Sequence, residues 1–157
     1  RQRLSRMTAL PSAADAQRFQ DRIVEPALSA VHGELVDQGF DATIERTPVD
    51  PLRVDEVSLC VRFEGEQAFD YQVYPVPRHA PGVGGYGGRG SSVFRLEVFS
   101  AVGSEGYDVY GFSSQQLIAD VLTRFESHLE FVRIASDDGG TLPAQGTAET
   151  PDWQADF

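Results

Sequence analysis

Lysine is absent from this chain, and all thirteen of its basic residues are arginine. We attach no function to that bias. Positive charge is scarce altogether: 13 arginines face 24 carboxylates, for a net charge of −11. A balance so acidic argues against nucleic acid, whose phosphates need a basic face. Cysteine occurs once, at Cys60, which excludes an internal disulfide framework and fits a reducing compartment. Long apolar runs are missing as well. None approaches the roughly 18 to 20 residues that cross a bilayer as a helix. An initiating methionine and a signal-peptide core are also missing, since the chain opens on Arg1, and it is therefore expected to be a fragment or a processed product.

What is present describes a folded globule. The 157 residues suffice for one domain with a real core, and 41% are hydrophobic, including ten Phe and five Tyr. Residues 1–11 are expected to form a connector ending at Pro11. Arg1, Arg3 and Arg6 are its only charges, either a juxtamembrane basic cluster or three arginines at a frayed terminus. Setting aside those three arginines and the five carboxylates of 136–157 leaves −9 on the intervening body. Residues 136–157, rich in Asp, Gly, Thr and Ala without a period, are expected to be an acidic disordered tail. Trp153 and Phe157 stand out there, as weak docking aromatics or as strays.

Between connector and tail, 12–135 reads as a single domain. Ser12 can cap a helix with Asp15 at its third position, and Pro26 should end or kink that helix near Val24, or open the next one. The second helix carries Leu28, Val31 and Leu35 inward and stops at Gly39. Alternation then predicts strands over 40–45, 57–63, 69–73 and 94–99, with turns at 48–51, 64–67 and 103–106 and a short strand at 107–110. Pro75 and Pro77 are expected to close the third strand. Ser113, with Gln116 three residues on, opens a last helix whose Leu117, Ile118, Val121, Leu122, Phe125, Leu129 and Val132 recur at helical spacing. Helices at both ends of hairpin-linked strands predict an α+β two-layer sandwich, with helices packed on one face of an antiparallel sheet of about five strands. The expected core is Ile23, Leu28, Val31, Leu35, Ile44, Leu59, Val61, Phe63, Phe69, Tyr71, Leu96, Val98, Leu117, Val121, Leu122, Phe125 and Leu129.

Chemistry-bearing constellations are few. The stretch 81–90 holds six glycines, but a P-loop needs a lysine and a following helix, whereas Arg89-Gly90-Ser91 leads into a strand. A long hairpin connection is the reading that remains. Cys60 falls on the polar side of its strand, and His32, His79 and His128 are scattered, with neither metal-ligand spacing nor a nucleophile–base pairing. No catalytic residue, cofactor or metal is therefore expected, and the chain is not read as an enzyme.

Two segments carry a family likeness. One is GYDVYGFSSQQLIADVLTRFESHLEFV, residues 106–132, with Gly106, Tyr107, Asp108, Gly111, Phe112, Asp120, Phe125, Glu126 and His128 at its marked positions. The other is IVEPALSAVHGEL, residues 23–35. Together they resemble the cytoplasmic C-terminal domain of BetT-type choline transporters, in the betaine–choline–carnitine transporter family, over about 20–133. The resemblance implies a regulatory domain that tunes uptake of choline, the precursor of glycine betaine, to osmolality at the cytoplasmic side of a bacterial inner membrane. Its implied partner is the transmembrane domain of the same transporter. Anionic lipid at the arginine head and a second copy of the chain are further expected partners. Glu126 and His128 are expected surface or docking contacts. A stand-alone α+β domain binding a small molecule or a protein is the alternative.

Overall fold

The computed structural model describes residues 10–79 and 92–148, with side chains from 136 onward left aside. Arg1, Arg3, Arg6, the glycine-rich stretch 81–90 and residues 149–157, including Trp153 and Phe157, lie outside the described residues. Two units make up the chain, one up to Thr123 and the other from Arg124.

Ser12 caps the first helix as expected. Its hydroxyl accepts from the Asp15 amide at 3.3 Å, and α1 runs Ala13–Phe19. The chain does not break before Pro26. It widens into a π-helical turn, Gln20–Val24, and Pro26 then sits in the first turn of α2, Glu25–Asp37. Proline lacks an amide and crowds the carbonyl four residues back, so a wider turn beside it keeps the helical path continuous. At the far end, the Gly39 amide bonds the Val36 carbonyl and the Phe40 amide the Leu35 carbonyl. That pair of bonds is a Schellman stop, and Gly39 adopts the φ of +92° that it requires.

Five antiparallel strands follow in the spatial order in which they occur: β1 Asp41–Val49, β2 Val54–Arg62, β3 Phe69–His79, β4 Ser92–Ser100 and β5 Gly103–Asp108. Every strand has a bound that differs from expectation, three of them with a structural cause. Pro48 belongs to β1, an edge strand, so the turn is Asp50–Arg53 instead. β3 passes through Pro75 and Pro77, which pair with Leu96 and Phe94 of β4. It can do so because β2 accompanies β3 only as far as Val73, and on that side the prolines have no ladder to interrupt. β5 begins at Gly103, where a turn was expected, and its register against β4 shifts between Glu97 and Phe99.

The helices cover one face of this sheet. Leu59, Val61, Tyr71, Val73, Leu96 and Val98 point into that layer, with Leu28, Val31 and Leu35 from α2 and Leu117 and Val121 from the last helix, all buried. Val24, Val57, Phe94 and Val109 are buried as well, outside the expected core list. Ile23, Ile44, Phe63, Leu122 and Leu129 are only half-buried. For Ile23 the cause is the π turn, which rotates Val24 inward in its place. Phe63 instead meets Phe40 edge-on at 6.2 Å. The last helix, α3, spans Ser114–Ala148 and so continues into the stretch expected as a tail.

Candidate functional site

The two marked segments of the sequence turn out to hold the helices to the sheet. At the start of α3, the Ser113 hydroxyl accepts from the Gln116 amide at 3.1 Å, while Gln116 Oε1 accepts from the Ser113 amide at 2.9 Å. This is a reciprocal capping box, and it fixes where the helix begins. Seven residues on, Asp120 Oδ2 accepts from two tyrosine hydroxyls, Tyr71 of β3 at 2.6 Å and Tyr107 of β5 at 2.5 Å. Tyr71 is fully buried, and burial first, then its bond to Asp120, pushes its hydroxyl well above the ordinary tyrosine range. Asp108 Oδ1 accepts from the Leu96 and Tyr110 amides, tying the bulged end of β5 to β4. Burial raises that carboxyl against the lowering effect of the two amides.

A second node pins the N-terminal helices. Arg46 of β1 reaches Asp21 in the π turn, Glu25 of α2 and, at 2.6 Å, Asp55 of β2. Its bond to Asp21 raises its pKa most, against desolvation. Asp55 has the opposite balance: burial works to raise it, and bonds from Gln17 and Arg46 hold it below the usual carboxylate range. Gln20, fully buried, donates its amide to the carbonyls of Asp55 and Val73, at 2.8 and 3.0 Å.

The expected docking residues lie farther along α3. Glu126 is exposed, and the half-buried His128 ring stands 6.2 Å from Phe131. Phe131 and Ile134 are 55% and 59% exposed, so this part of the helix presents an apolar stripe beside the two polar residues.

Nucleophilic and metal chemistry find little purchase among the described residues. Burial, then Asp70, pushes the Cys60 thiol up to about 11, away from the thiolate that an attacking cysteine needs. His32 Nε2 lies 3.0 Å from the Ala42 carbonyl oxygen, which can only accept, so this histidine is spent on structure. No group of three His, Cys, Asp or Glu among the described residues is arranged to hold a metal. No described helix is long and apolar enough to cross a membrane.

No family model matches the chain. Individual proteins do. It is 32% identical over 148 residues, 91% of its length, to the osmo-dependent choline transporter BetT2 of Acinetobacter baylyi. It is 30% identical over 142 residues, 89% of its length, to the high-affinity choline transport protein of Escherichia coli K12. This chain is homologous to a segment of BetT-type choline transporters. The segment is about a fifth of each relative, 21% of its length. The proteins matched are transporters, not enzymes. In this segment, Tyr107, Asp108 and Asp120, three of the residues that carried the resemblance, hold the fold together. The sequence places these residues in a motif and Tyr71 in the core, but not the bond between Tyr71 and Asp120, 49 residues apart.

Proposed function

We propose that this chain is the cytoplasmic C-terminal regulatory domain of a choline transporter and sets how choline uptake responds to osmolality. The observation that carries this reading is the match of nine-tenths of the chain to such transporters, one of them named osmo-dependent, in a segment whose described helices cannot cross a membrane. In this reading 1–11 is the connector from the membrane, 12–135 the regulatory body and 136–157 an acidic tail. Arg1, Arg3 and Arg6 face the inner leaflet, and Glu126 and His128, beside Phe131 and Ile134, dock on the transmembrane part or on a second copy.

Electrostatics supplies a mechanism. An acidic body beside an arginine stem interacts over a range set by salt, and the screening length falls from about 8 Å at physiological ionic strength to about 3 Å at 1 M. Water loss concentrates cytoplasmic ions and shortens those contacts, which biases the transport cycle between two states.

A transporter truncated before Ser113 should keep its choline affinity, because the substrate site lies in the membrane part, and lose osmotic modulation of its maximal rate. Substituting Phe131 and Ile134 by Ser tests the docking stripe without touching buried residues. Uptake across an osmolality series in proteoliposomes decides the matter. An unchanged osmolality curve in the truncated protein would overturn the regulatory reading and favour a partner-binding domain.

A further inference from the structure

We propose that a groove between α1 and the β1–β2 turn binds a phosphate-bearing anion through Arg18, Arg22 and Arg53. The groove has a volume of about 560 Å³ and is walled by these three arginines with Gln17 and Asp21. Nine arginines fall within the described residues, so a third of them meet in one groove of a chain whose net charge is −11.

Little within the fold neutralises them. The one carboxylate in the groove, Asp21, is taken by Arg46. Arg18 has only a surface pair with Asp15 at 3.2 Å, both side chains about half exposed, and such pairs contribute little and exchange readily. Arg22 and Arg53 have no ion-pair partner among the described residues. Arg18 and Arg22 are four residues apart and line the same groove, where like charges repel. An anion between them would relieve that repulsion.

Backbone geometry points the same way. Arg53 holds a φ of +60°, a left-handed conformation that glycine or asparagine adopts at less cost. The groove is also held in shape before any ligand arrives. Gln17 accepts from the Asp55 amide at 2.7 Å and donates to Asp55 Oδ2 at 2.9 Å, fastening α1 to β2 two residues from Arg53. Guanidinium forks match tetrahedral oxyanions in bidentate fashion, and three of them suit a phosphomonoester or diphosphate better than a lone carboxylate. The volume leaves room for the group esterified to that phosphate. This site stands apart from the transporter reading, since a domain without an osmotic role could equally possess it.

The purified 157-residue chain tests the idea at low salt with two probes: pyrophosphate by calorimetry, and phosphatidylglycerol-containing vesicles by co-sedimentation against pure phosphatidylcholine. Arg22→Gln and Arg53→Gly should each weaken binding by about tenfold or more, while Arg133→Gln, the same charge change on an exposed part of α3, should alter it by less than about twofold. Thermal midpoints separate binding from folding: Arg53→Gly should melt no lower than the parent, because glycine takes a positive φ freely. Pyrophosphate binding identifies a soluble phosphate compound, and vesicle binding alone identifies a lipid headgroup; either supports the site. Binding of neither probe, or equal weakening by all three substitutions, overturns it.

Discussion

Replacing Asp120 by alanine removes the acceptor shared by Tyr71 and Tyr107 and leaves their hydroxyls with unequal fates. Tyr107 is half-buried and can turn to water, so its loss should be about 0.5–1 kcal/mol. Tyr71 has no exposed surface and keeps only the Tyr107 hydroxyl beside it, and losing the charged acceptor of a buried hydroxyl costs about 1–3 kcal/mol. Asp120→Ala is therefore expected to destabilise the fold by about 2–4 kcal/mol. Tyr71→Phe removes the donor along with its need for a partner, and should cost only about 1 kcal/mol. The order of the two losses follows from which group is left buried without its carboxylate acceptor. Urea unfolding of both variants and of the double substitution measures it, and the coupling should be favourable by about 1 kcal/mol or more. The same node has a signature in alkali. Because the folded hydroxyl of Tyr71 titrates above the ordinary 10.0, its contribution is complete below pH 10 and is lost as pH rises further. The unfolded chain releases that proton first, so stability falls by about 1.4 kcal/mol per pH unit there. Tyr71→Phe should flatten that fall by one proton. An Asp120→Ala loss smaller than that of Tyr71→Phe, or an unchanged alkaline slope, would refute the node.

Asp108→Asn should stay within about 1 kcal/mol of the parent in thermal melts, because an amide oxygen can still accept from Leu96 and Tyr110 and burial disfavours the charge, whereas Asp108→Ala should cost about 1–3 kcal/mol. Arg46→Gln leaves Asp21, Glu25 and Asp55 facing one another and should cost about 1–2 kcal/mol, a deficit that shrinks in 1 M salt. Cys60, with its thiol raised to about 11, should react with iodoacetamide at pH 8 some hundredfold more slowly than a free cysteine. A denatured sample supplies the reference rate.

The strands, the capping box at Ser113 and the stop at Gly39 were legible because each is a local pattern: alternation, a side chain reaching three residues on, a glycine after the last apolar turn. The features that escaped are those decided by a neighbour. Pro75 and Pro77 look like strand breakers until it is known that β2 no longer pairs with β3 beside them. Gln20 looks like a surface residue, but the sheet supplies two carbonyls for its amide. Ile23 and Val24 exchange roles because a π turn shifts the helical phase, and no periodicity in the sequence announces it. For the candidate docking face, the sequence pointed to Glu126 and His128, but only the accessible surface distinguishes Phe131 and Ile134 from the core residues preceding them on the same helix.

The simple strand order β1-β2-β3-β4-β5 has a kinetic consequence. Each strand pairs with its neighbour in the chain, so the sheet can grow by closing loops between successive strands, which favours rapid formation. The clasps that seat the helices are of another kind: Gln20 reaches Val73 across 53 residues, and Tyr71 reaches Asp120 across 49. Chain entropy opposes those contacts until the sheet exists to hold one end. Folding rates should therefore respond to changes at the β2–β3 pairing, such as Leu59→Ala, while Tyr71→Phe should act chiefly on the unfolding rate. In that order of events α3 is the latch, closing on strands already assembled.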